Sequence, residues 1–145
     1  MTVTVPAQLV AISPGLLTRH HAHHYLGFAE TQHRLFDRTG ELKPALYTLR
    51  VLLTGLHLMR TGEVVADLRR LDGPAYVPDL IALKRDAEHG PFPAAARDAL
   101  ERDVPRLRAE LETARDASHL PDKPAAEAVE ALHELVVGAR LSTVR

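Results

Sequence analysis

The chain has 145 residues, with 18 Lys and Arg against 19 Asp and Glu, nine histidines and no cysteine. Such a length supports one helical domain with a real core and falls short of a comfortable second one. A formal charge of −1 gives no global electrostatic pull toward nucleic acid or a membrane, and the missing cysteines exclude disulfides and thiolate metal sites.

The segment TVTVP alternates β-branched side chains with no second strand to pair with, so residues 1–12 are expected to form an extended or disordered lead-in. If extended, it needs a sheet supplied by a partner. The opening MTVTVPAQLVAISPG lacks a basic stretch before an apolar run. Nowhere does an apolar run approach the roughly 20 residues of a bilayer span, so a cytoplasmic protein with no membrane partner is expected.

Proline and glycine punctuate the rest. Pro14, Pro44, Pro78, Pro93 and Pro124 each stand where a first helical residue would be, and Gly40, Gly62, Gly90 and Gly138 supply stops. The pattern predicts an all-α bundle of about five helices in a single domain, 1–145, with core helices over 13–90 and two peripheral helices over 91–145. EVVADLRRLDGPAYV reads as a connector with one helical turn around Ala66 to Leu71. Pro105 is expected to kink or split the fourth helix near Asp103. The mixed charges from Glu101 to Arg115 read as a solvated face.

RHHAHHYLGF, Arg19 to Phe28, places His20, His21, His23 and His24 together. His20 and His24 are an i, i+4 pair, the geometry by which one helix face offers two imidazoles to a metal. With no cysteine available, His33, His57 or a carboxylate would have to converge on them. The plainer alternative is an exposed helix start followed by core contacts from Tyr25, Leu26, Phe28 and Ala29.

YTLRVLLTGLHLMRTG, Tyr47 to Gly62, is apolar around most of a helix circumference and predicts the central helix. Tyr47, Arg50, Thr54, His57 and Thr61 fall at steps of three and four, one polar row along it. A guanidinium embedded among leucines needs an anionic or hydrogen-bonding counterpart. Arg50 suits phosphate or carboxylate through its planar fork, with Tyr47 and Thr54 as neutral donors and Lys84 and Arg85 extending the site. The structural alternative pairs Arg50 with Glu30 or Glu88.

HHYLGFAETQ, then KPALYTLRVLLTGLHLMRTGEV and DLIALKRDAE, resemble the C-terminal helical part of a bacterial family of nucleotidyltransferases of the DNA polymerase β superfamily, linked to RNA repair. The resemblance is concentrated between Leu9 and Gly90, in Arg50, Thr54, Gly55, His57 and Gly62 together with Tyr25, Gly27, Phe28 and Gln32. It implies a preceding catalytic half with a Gly-Ser turn and paired acidic residues that hold Mg2+ and nucleotide. This chain has no Gly-Ser followed by Asp-x-Asp, and the pairs Glu101 with Asp103 and Glu110 with Glu112 sit in helical sequence, where such spacing turns carboxylates apart. The implied role is an accessory module that binds nucleotide or RNA phosphate through Tyr25, Gln32, Tyr47, Arg50, Thr54, His57 and Lys84. A separate catalytic half is the implied partner.

Two further readings stand beside this one. RVLLTGLH resembles the Arg-x(4 to 6)-His element of the HEPN ribonucleases, in which Arg50 would stabilise charge and His57 move a proton without metal. Val51 stands where a polar residue usually follows that arginine. The other is a free-standing helical homodimer held by exposed apolar surface.

Overall fold

The computed structural model describes residues 15–86 and 90–143. Helix α1 spans His21–Thr39, α2 Leu42–Thr61, α3 Val77–Asp86, α4 Ala94–Ala117 and α5 Ala126–Thr143, with a 3-10 turn at Leu68–Arg70 between α2 and α3. The fold is an all-α bundle, with no strand among the described residues. The extended lead-in, Pro14 and Glu88 lie outside the described residues. No helix among them is long and apolar enough to cross a membrane. The chain divides into two compact units, His20–His119 and a smaller one made of Met1–Arg19 with Leu120–Arg145.

In the larger unit α2 is the hub, packed against α1, α3 and α4. Leu49, Leu52 and Leu58 are fully buried on it, together with Phe36 of α1, Leu80 of α3 and Leu100 and Leu111 of α4. The central position expected for this helix follows from its leucines, which are buried around most of its circumference. Its ends carry the expected glycines: Gly40 at φ 65° closes α1 and Gly62 at φ 78° closes α2, each donating its amide back into the last turn. A left-handed cap of that kind disfavours any residue with a β-carbon.

Five expectations from the sequence differ from the structure. Helix α1 begins at His21, because the Arg19 amide bonds the Pro121 carbonyl at 3.2 Å instead of a carbonyl one turn back. Helix α4 runs unbroken through Pro105. The ring there is exposed, so the Glu101 carbonyl it leaves without a helical partner faces water. Nor is α4 peripheral: Leu100, Val104, Leu107 and Leu111, at steps of four, three and four, are buried. Helix α5 continues past Gly138, since one glycine costs a helix only about 1 kcal/mol relative to alanine. Phe28, expected in the core, is 51% exposed.

An isolated bridge between Glu41 and Pro91 ties the start of α2 to the start of α4, with Leu42 N–H to Gly90 O at 3.0 Å and Phe92 N–H to Gly40 O at 2.8 Å. In the smaller unit α5 is held by Ala125 N–H to Gly15 O at 2.7 Å and by the Arg19–Asp122 ion pair, with Ala128 as its buried contact.

Candidate functional site

The connector after α2 folds back onto the helix beside Arg50 and Leu53. The Gly73 backbone approaches so closely that a β-carbon there would stand 2.7 Å from Leu53 Cδ1. Arg50 is exposed rather than embedded. Its Nε donates to the Ala66 carbonyl at 2.8 Å, and no carboxylate among the described residues pairs with it. Glu30, one of the two partners expected for it, pairs instead with Arg34 at 2.6 Å.

Between the connector, α2 and α3 an open cavity of about 410 Å³ is lined by Arg50, Tyr47, Lys84, Arg69, Leu46 and Ile81, among others. Tyr47 is half-buried, and three cations stand around its ring: Lys84 Nζ at 5.4 Å from the centroid, Lys43 Nζ at 5.9 Å and Arg50 Cζ at 6.0 Å. Each contact is worth about 0.5–1 kcal/mol at an exposed ring. The three like charges also repel one another, which an anion would relieve.

In the connector wall of the cavity, Asp67 and Arg69 match each other's charge. Asp67 Oδ1 accepts from the Arg69 amide at 3.0 Å and from Arg69 Nε at 3.1 Å, capping the 3-10 turn. Those hydrogen bonds hold the Asp67 carboxyl below its ordinary value. Arg50 and Lys84 are left as the pocket's uncompensated cations among the described residues. Lys43 was missed in the sequence, although it stands four residues before Tyr47 and extends the row by one turn. The Ala66 carbonyl gives no sequence signal, because its position depends on how the connector folds.

Of the residues expected to bind phosphate, Tyr47, Arg50 and Lys84 meet in this cavity and the others do not. Tyr25 packs its Cβ and Cγ against Gly55 of α2, and burial pushes its phenol upward. Gln32 is half-buried on α1. Thr54 is buried with its hydroxyl unpartnered. His57 borders a different pocket, of about 540 Å³, with Arg60, Arg70 and Arg106; its Nε2 is buried without a partner. Arg50 and His57 therefore border separate spaces. Thr61 closes its own helix end, its hydroxyl donating to the His57 carbonyl at 2.7 Å.

In the histidine cluster His20 stacks on His23 with centroids 6.1 Å apart, His21 lies 5.9 Å from His24, and His23 Nε2 stands 3.5 Å from Arg115. Among the described residues no third ligand joins His20 and His24.

The acidic pairs of α4 do not fit a shared pair of metal ions. Asp103 is buried against the Tyr76 hydroxyl at 2.8 Å, while Glu101 turns toward His33 on α1. Glu110 accepts from Arg106 at 2.8 Å, and Glu112 borders a separate groove.

No curated protein and no solved structure matches the chain. A family model does, over residues 1–138, reaching well past the stretch in which the recognisable motifs are concentrated. The chain belongs to that family, RlaP, the RNA repair pathway DNA polymerase beta family.

Proposed function

We propose that this chain is an accessory module of a polymerase β-type nucleotidyltransferase, binding the phosphate of RNA or of a nucleotide in the cavity bordered by Tyr47, Arg50 and Lys84. The observation that carries this reading is the gathering of Lys43, Arg50 and Lys84 around one tyrosine ring, with no acidic residue among the described residues matched to them. Arg50 uses Nε on the Ala66 carbonyl, which fixes the plane of the guanidinium and leaves its two terminal nitrogens for an anion. Lys84 approaches from α3 as a mobile point charge. Tyr47, Leu46 and Ile81 give a ribose or base an apolar surface beside the phosphate. Nucleotidyl transfer itself belongs to a catalytic half that supplies Mg2+ and its acidic ligands.

The test is binding of the purified chain to a short single-stranded RNA and to ATP, read by fluorescence anisotropy over a range of salt. RNA binding should weaken with salt, and replacing Arg50 or Lys84 by alanine should lower the slope of log K against log salt by about 0.7 for each phosphate contact removed. Tighter binding of ATP than of RNA would assign the cavity to a nucleotide. If the double variant Arg50→Ala/Lys84→Ala binds both ligands as the parent does, the cavity is not the site.

A further inference from the structure

A second group of ligating side chains lies away from that cavity. His33 and Asp37 are one turn apart on α1, and Glu101 reaches them from α4; one ligand atom from each lies within 4.8 Å of the other two. We infer that His33, Asp37 and Glu101 bind a divalent first-row transition ion of the Zn2+ kind, linking α1 to α4.

Three observations carry this assignment. The first is an orphaned atom: His33 Nε2 is buried and has no hydrogen-bond partner. Glu101 Oε2 stands 3.7 Å from it, too far for a hydrogen bond. That spacing is close to the roughly 3.4 Å that separates two ligands each about 2.1 Å from a tetrahedral ion.

The second is that no other cation occupies the carboxylates. Arg97, one turn before Glu101 on α4, lies with Cζ 5.2 Å over the Phe36 ring, and apart from His33 no described cation pairs with Asp37 or Glu101. The third is rigidity. Phe36 is fully buried and meets Phe92 edge-on at 5.2 Å, and the His33 imidazole stacks on it at 6.3 Å, so the ring is held before any ion arrives.

One imidazole and two carboxylates match the donor preference of Zn2+, Mn2+ or Fe2+ better than that of calcium or of cuprous copper. The two carboxylates offset the charge of the ion, and because both residues are exposed, water can complete its coordination.

The test uses the full chain, stripped with EDTA and without RNA, so that its outcome is independent of phosphate binding. Titration with Zn2+ by calorimetry, and with Co2+ by visible absorption, should give one saturable site per chain and a raised melting temperature. His33→Ala, Asp37→Asn and Glu101→Gln should each weaken binding by more than about tenfold, the least expected given that even outer-shell partners are worth 10–100-fold. Asp37 and Glu101 are exposed, so their variants should fold even if His33→Ala does not. His20→Gln/His24→Gln should bind as the parent does. The assignment is overturned if binding is not saturable, if it survives Asp37→Asn and Glu101→Gln unchanged, or if only the His20→Gln/His24→Gln variant loses it.

Discussion

Arg50 donates its Nε–H to the carbonyl of Ala66 at 2.8 Å, across a sixteen-residue separation in the chain. A side chain on the rim of the candidate site thus also anchors the connector that forms the site's wall. If the cavity binds phosphate as proposed, binding and local order are coupled through one guanidinium.

That coupling makes Arg50→Lys informative. Lysine keeps the charge and loses the planar fork, so it cannot hold the Ala66 carbonyl and present two further donors in one plane. Amide exchange in residues 63–71 should speed up, with global stability reduced by about 0.5–1 kcal/mol, as for one exposed hydrogen bond. RNA affinity should fall between that of the parent and that of Arg50→Ala. Exchange protection equal to the parent's would show that the Ala66 contact does not order the connector.

Gly55 is the place where α1 and α4 both press on α2. A β-carbon there would stand 3.1 Å from Leu111 Cδ2 and 3.1 Å from Tyr25 Cβ and Cγ. Leu111 could yield at its tip, but the tyrosine atoms sit at the root of their side chain and move only with the helix. Gly55→Ala gains up to about 1 kcal/mol of helix propensity and loses about 1–3 kcal/mol to overpacking. The expected net is a loss of about 1 kcal/mol in urea unfolding. An unchanged or higher midpoint would mean that α1 can slide on α2.

The same contact bears on how far the sequence could be read. Gly55 and Tyr25 belong to the motif that carries the family resemblance, and Tyr25 was read toward binding, yet the two meet each other at the α1–α2 interface. Motif residues shared for packing and for binding look alike in one sequence. Helix count and α2's central place were legible because period-3.6 leucine patterns and glycine caps are local signals. The continuity of α4 through Pro105 was not, because tertiary burial of Leu100, Val104, Leu107 and Leu111 outweighs the proline's cost of about 3 kcal/mol. Arg50 was expected inside the core because eight apolar neighbours surround it in sequence. A single open edge of the helix, covered later by the connector, is a tertiary fact no periodicity contains. Lys84 joined the site because α3 crosses near the start of α2, whereas the His33, Asp37 and Glu101 group spans two helices far apart in the chain.

Tyr76, just before α3, donates its hydroxyl to Asp103 Oδ2 at 2.8 Å, and Arg106 Nη2 stands 3.4 Å from Oδ1 of the same carboxylate. Asp103 is 8% exposed, so Tyr76→Phe leaves a nearly buried carboxylate with one long contact, at an expected cost of about 1–3 kcal/mol at neutral pH. Burial first, and the bond to Asp103 second, push the Tyr76 phenol well above its ordinary value. A raised folded value means that the contribution is fully present below the unfolded tyrosine's pKa of about 10. It is lost as pH rises beyond that point toward the folded value. The stability gap between the parent and Tyr76→Phe, from urea unfolding, should therefore stay constant from pH 7 to 9 and narrow above about pH 10, by at most about 1.4 kcal/mol per pH unit. A gap that is absent at pH 7, or that fails to narrow above pH 10, would mean that Tyr76 does not fasten α3 to α4 through Asp103.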